Sequence, residues 1–89
     1  MLGRLQRIVE DRKQNPEEGS YTCYLFEKGV DKIAKKAGEE AVELVIAAKN
    51  GEKEEIVGEC ADLFYHTLVL LANAGVKLSD VCTELEKRH

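Results

Sequence analysis

Proline is nearly missing from this 89-residue chain, which holds one, at position 16. Without the ring that removes a backbone donor, long helices can run uninterrupted on either side of it. Cysteine is scarce and odd in number, with Cys23, Cys60 and Cys82 and no C-x-x-C spacing. Neither a disulfide framework nor a zinc knuckle is therefore suggested, and the thiols read as reduced, small apolar side chains. Basic excess is also lacking, since 13 Lys and Arg face 17 Asp and Glu for a net charge of -4. A general nucleic-acid binder needs a basic face, so that class is set aside. The most apolar stretch, 60–75, is broken by Asp62 and His66, and no charged start precedes an apolar h-region. Neither signal peptide nor membrane span is expected, and a cytoplasmic protein is. No repeat, low-complexity segment or linker divides the chain, so residues 1–89 read as one domain. A chain this short buries a small share of its surface, and a second copy would be a natural source of further core.

The runs between Pro16 and the glycines at 19, 29, 51 and 75 have helical rather than alternating periodicity, which predicts an all-α protein. A first helix is expected over about 2–13, ending before Asn15-Pro16, where the residue preceding proline disfavours the helical conformation. Ser20 can cap a short helix through position 26, with Gly29 suited to a left-handed end. A long helix follows over 31–50 with Gly51 as terminator, then another over 53–73 stopped by Ala74-Gly75. Ser79 is the expected cap of a last helix ending in Lys87-Arg88, basic residues that suit a helix C-terminus.

On the third helix Glu39, Glu40 and Glu43 fall within roughly a 100° arc, and Lys32 and Lys36 project into the same arc. A solvated face is the ordinary reading of such a stripe. Two details count against it. Lys35/Glu39 and Lys36/Glu40 place lysine first, the weaker order for an i,i+4 pair, and Glu39 and Glu43 repel at that spacing. The fourth helix is apolar over most of its circumference and is expected to be largely buried. Yet Glu55, Glu59, Asp62, His66 and Asn73 align in a stripe only about 60° wide. Buried carboxylates must be paired, protonated or bound to metal.

Glu40-x-x-Glu43 and Glu59-x-x-Asp62 each present two carboxylates on adjacent turns, and the turn at Gly51 would fold them face to face. Four carboxylates around one cleft favour a hard cation, Mg²⁺ above all with Mn²⁺ as substitute. With Lys32, Lys35 and Lys36 nearby, an acidic protein could hold a polyphosphate through metal bridging. Gly38 and Gly58 cost about 1 kcal/mol each inside a helix. They are either tolerated interruptions or small residues that let the two helices approach closely.

At these residues the chain resembles the phosphoribosyl-ATP pyrophosphohydrolase family, within the all-α nucleotide pyrophosphohydrolases that include MazG proteins and all-α dUTPases. The likeness spans nearly the whole chain. It rests on Ser20-Tyr21-Thr22, Leu25 before Gly29, Lys32-Ile33 with Lys36, Gly38-Glu39-Glu40-Ala41 with Glu43, and Glu59-x-Ala61-Asp62-Leu63 leading into Tyr65-His66. The resemblance implies a MazG-like bundle of four to five helices, and the apolar surface of the fourth helix, more than three neighbours in so short a chain readily cover, predicts that homodimerisation completes it. It also implies Mg²⁺-dependent hydrolysis of phosphoribosyl-ATP to phosphoribosyl-AMP and pyrophosphate, the second step of histidine biosynthesis. Glu40, Glu43, Glu59 and Asp62 would hold the metal, and Lys32, Lys35 and Lys36 would meet phosphate oxygens. Glu39 either orients or deprotonates the attacking water, or acts behind the ligands. Ser20, Tyr21 and Thr22 either contact the nucleotide or cap and pack. His66 reads as a satisfied core histidine before a direct metal ligand, and Arg12 and Lys13 as a solvated face before phosphate contacts.

The acidic pairs alone mark only the superfamily, so a house-cleaning hydrolase of noncanonical nucleoside triphosphates is the first rival. A di-iron carboxylate bundle would need a histidine three after a glutamate on the acidic stripes, and there His66 follows Asp62 by four. The third rival is a helical dimerisation module without activity.

Overall fold

The computed structural model describes residues 1–89, folded as five helices and no strands. These are α1 (Leu2–Gln14), α2 (Tyr21–Lys28), α3 (Val30–Asn50), α4 (Lys53–Ala74) and α5 (Leu78–Arg88). Ser20 caps α2 as expected, its hydroxyl accepting from the Cys23 N–H at 3.3 Å. Gly29, at φ 91 and ψ -175, lets α2 pass into α3 without a loop, so each helix extends beyond its expected end. The last helix starts earlier than the sequence suggests. Lys77 takes the cap position with an extended backbone, which puts Ser79 inside the first turn, where its carbonyl accepts from the Thr83 hydroxyl at 2.9 Å.

Gly51 closes α3 in the left-handed conformation, at φ 75, and its N–H donates to the Ala47 carbonyl at 3.1 Å. Gly75 ends α4 in the same way at φ 73, and the Val76 N–H reaches back to the Leu71 carbonyl at 2.9 Å. A side chain at Gly51 meets no neighbour, so its whole penalty is the backbone conformation that a Cβ disfavours. Gly51→Ala should lower the free energy of unfolding by about 1 kcal/mol, read from the urea midpoint at unchanged slope.

The turn at Gly51 folds α3 and α4 into an antiparallel hairpin, and α1 and α2 pack on one part of it. Val9 of α1, Leu25 of α2, Ile33 of α3, and Val69 and Ala72 of α4 form the buried core, with Leu5, Phe26, Tyr65 and Leu70 against it. On α4 and α3 those residues lie at the open end of the hairpin, remote from Gly51. Each large side chain fully withdrawn from water contributes about 1.5–3 kcal/mol, so consolidation is concentrated there. Lys13 ties α1 to the same end, donating to the Ala72 carbonyl at 2.8 Å.

Two expectations are corrected by this arrangement. The fourth helix is not largely buried in the single chain: His66, Leu68, Val69 and Ala72 are, whereas Val57 is 58% and Phe64 48% exposed. Its neighbours cover only one side. Gly38 and Gly58 do not mediate close approach either, because a Cβ at either position would meet nothing within 4 Å. The tolerated-interruption reading stands for both.

Candidate functional site

Glu43 and Glu59 are equidistant in sequence from Gly51, so the hairpin sets them opposite each other, with Glu40 one turn away on α3. One carboxylate oxygen from each of Glu40, Glu43 and Glu59 lies within 4.8 Å of the others. Glu40 is buried, at 7% exposure, Glu59 half-buried and Glu43 exposed. The Oε2 atoms of Glu40 and Glu59 are out of water and have no hydrogen-bond partner. No lysine or arginine answers them. The ion pairs of the molecule are Arg12 with Asp11 and Glu17, and Arg88 with Glu84. Two orphaned buried oxygens and a third facing them, all hard donors, fit a small divalent cation.

The crowding acts on Glu59, whose pKa is pushed from 4.5 up to about 7, first by sharing a proton with Glu43, then by loss of water and by Glu40. Between those two values the folded chain keeps a proton that the unfolded chain has released. Metal-free stability therefore falls as pH rises from about 4.5 to about 7 and levels off above. In EDTA the melting temperature should be higher at pH 5 than at pH 7.5. Added Mg²⁺ or Mn²⁺, competing for the same oxygens, should raise it at pH 7.5 and have little effect at pH 5.

The other residues singled out from the sequence divide in placement. Asp62 is exposed and stands outside the group of three facing oxygens. Glu39, next to Glu40 in the chain, is exposed and is not among the three facing carboxylates. Lys32 and Lys36 are half-buried and Lys35 exposed, and none is engaged in an ion pair, leaving three free cations on the N-terminal half of α3. Arg12 is engaged with Asp11 at 3.3 Å and Glu17 at 3.2 Å.

Ser20, Tyr21 and Thr22 direct their polar atoms into the fold. Beyond the Ser20 cap, the Tyr21 hydroxyl meets His66 Nε2 at 3.1 Å and the Thr22 hydroxyl bonds that of Tyr65. His66 Nδ1 lies 2.8 Å from the backbone carbonyl of Asp62, so the buried histidine is satisfied on both sides. Burial raises the Tyr65 pKa, an effect partly offset by the bond to Thr22. Sequence reasoning missed Tyr65 as a polar partner. Its only signal was adjacency to His66 on the polar stripe, and the matching residues on α2 have no fixed spacing from it.

A helical hairpin that sets unpaired carboxylates face to face is the framework of an all-α, metal-ready hydrolase. Residues 2–89 match the family described as phosphoribosyl-ATP pyrophosphohydrolase, and the chain belongs to that family. It is 55% identical over 89 residues to a phosphoribosyl-ATP pyrophosphatase of Clostridium acetobutylicum, covering 100% of this chain and 81% of that protein. A protein of the same name from Listeria welshimeri is 58% identical, with 100% and 85% covered. The histidine biosynthesis bifunctional protein HisIE of Caldanaerobacter subterraneus is 56% identical, and the chain spans 43% of its length. No helix is long and apolar enough to cross a membrane.

Proposed function

We propose that this chain hydrolyses phosphoribosyl-ATP to phosphoribosyl-AMP and pyrophosphate, as a single domain acting in the cytoplasm in histidine biosynthesis. The observation that carries the reading is the pair of buried, unpartnered oxygens on Glu40 and Glu59 opposite Glu43, in a chain whose family is defined by this reaction. Glu40, Glu43 and Glu59 would hold Mg²⁺, or Mn²⁺ in its place, with Asp62 turning in from the same stripe of α4. When bound, the metal supplies charge neutralisation for a polyphosphate and lowers the pKa of water.

The chain's own residues supply the rest. Lys32, Lys35 and Lys36, unpaired along α3, would meet phosphate oxygens as point charges. Glu39, exposed beside Glu40 in the chain, would orient water and take its proton as the anhydride between the α and β phosphates opens. Ser20, Tyr21 and Thr22 would border the nucleotide through the exposed part of the Tyr21 ring, since their polar atoms are already engaged.

A homodimer is part of this reading. Val42, Val45 and Ile46 share one face of α3 and are each more than half exposed, and Val57, Ala61 and Phe64 share one face of α4. Apolar faces of this kind on so small a chain are the mark of an interface.

The test is Mg²⁺-dependent product formation from phosphoribosyl-ATP against a panel of deoxynucleoside triphosphates. Phosphoribosyl-AMP with intact pyrophosphate, formed in preference to any dNTP product, is expected. Orthophosphate release would overturn the cleavage site. Preference for a dNTP would turn the reading to the house-cleaning hydrolases.

A further inference from the structure

The acid cluster is supported from one side by the tight turn at Gly51, which fixes where α3 and α4 begin to diverge. The part of α4 that carries Glu59 and Asp62 lies between that turn and the core at the open end, where Ile33 of α3 meets Val69 and Ala72 of α4. On α4, His66 lies seven residues beyond Glu59, about 10 Å further from that turn at 1.5 Å per residue. At that point the structure places a polar contact between α2 and α4 inside otherwise apolar packing. The Asp62 carbonyl can only accept, so Nδ1 of His66 carries the proton and donates to it at 2.8 Å. In the neutral ring Nε2 is then an acceptor, and the Tyr21 hydroxyl donates to it at 3.1 Å. Both ring nitrogens are used, in a side chain only 5% exposed. The adjacent bond between Thr22 and Tyr65 doubles the link, and the Tyr21 ring stands edge-on to the His66 ring at a centroid distance of 5.9 Å. Through Leu25, α2 is also seated in the core beside Ile33 of α3.

We propose that the Tyr21–His66 pair is a polar support of the acid cluster between the Gly51 turn and the core, with both as positioning residues that fix the α4 turn of Glu59 and Asp62 against α3. The inference rests on the metal-holding reading of the cluster. It gives the Tyr21 hydroxyl a function of its own beside the nucleotide contact of the exposed ring, although that hydroxyl never touches an acid side chain. A residue acting in this way changes how well a metal is gripped before any substrate arrives.

The experiment measures Mn²⁺ dissociation constants by electron paramagnetic resonance on the substrate-free protein, then kcat and KM for phosphoribosyl-ATP at saturating Mn²⁺. Tyr21→Phe keeps the ring and removes the donor. His66→Asn keeps an N–H placed as Nδ1 is and removes the acceptor. Each should weaken Mn²⁺ binding by about 3- to 10-fold, with KM for the nucleotide within about twofold of wild type. The double variant should be no worse than either single one, since both remove the same bond. An unchanged Mn²⁺ constant in Tyr21→Phe overturns the proposal, and a raised KM with that constant unchanged returns Tyr21 to the substrate. Should His66→Asn fail to fold, Tyr21→Phe alone decides the matter. Absence of Mn²⁺ binding to the wild-type protein would instead defeat the metal reading of the cluster, an outcome separate from either of these.

Discussion

Glu40→Gln should reduce Mg²⁺-dependent pyrophosphate release by about 100- to 1000-fold while leaving the metal-free protein at least as stable as wild type. Glutamine keeps the size of the side chain and one acceptor oxygen, so the helix packing around a residue that is 7% exposed is preserved. What it removes is the charge. In the metal-free chain that charge sits out of water, with an unpartnered oxygen, beside Glu43 and Glu59 and without a lysine or arginine to answer it. Its loss relieves repulsion, which is why stability should hold or rise. The same loss takes an anionic oxygen from a hard cation, so the site should weaken where the fold strengthens. Opposite signs for stability and activity are the diagnostic, since an ordinary structural residue would move both downward. Retention of more than a tenth of the activity would remove Glu40 from the metal-holding set.

The wild-type chain should sediment at twice its 10.0 kDa mass, and Val45→Glu should bring it to the single-chain value. Val45 is 59% exposed in the isolated chain, so a glutamate there costs the monomer fold little. In a dimer that covers the α3 face of Val42, Val45 and Ile46, the same carboxylate would be taken out of water without a partner. The dissociation constant should rise by about 100-fold or more, corresponding to about 3 kcal/mol. Sedimentation at several concentrations, with circular dichroism to confirm retained helix, reads both effects. A wild-type protein that already sediments as one chain would show that the apolar faces of α3 and α4 serve something other than self-association.

How far the sequence foretold all this depends on the kind of information each feature needs. The ends at Gly51 and Gly75 were legible because a left-handed residue is a local requirement that glycine satisfies. The facing of Glu40 and Glu43 toward Glu59 was legible because helical periodicity fixes the face and the turn fixes the partner. Periodicity does not say how many neighbours cover a helix. That is why α4, apolar nearly all round, was expected to be buried, while Val57 and Phe64 stand in the open. It also left two readings open for Gly38 and Gly58, and the hairpin makes no close approach at either. Ser79 misled for a different reason, since a good capping residue two places beyond Lys77 does not determine where the helix begins. The bond from Tyr21 to His66 joins residues 45 apart in the chain, and no local rule reaches that far.

The placement of the core at the open end of the hairpin divides the chain into two zones of unequal cohesion. Where α1, α2, α3 and α4 meet around Leu25, Ile33 and Val69, order is maintained by the chain itself. Towards Gly51, where the carboxylates oppose one another and valines and isoleucine meet water, Ala47 is the buried residue nearest the turn. A cation between the glutamates and a second copy against the apolar faces would each lend that zone stability in proportion to its concentration over its dissociation constant. Readiness for catalysis and completion of folding would then be one equilibrium, displaced by the same ligands.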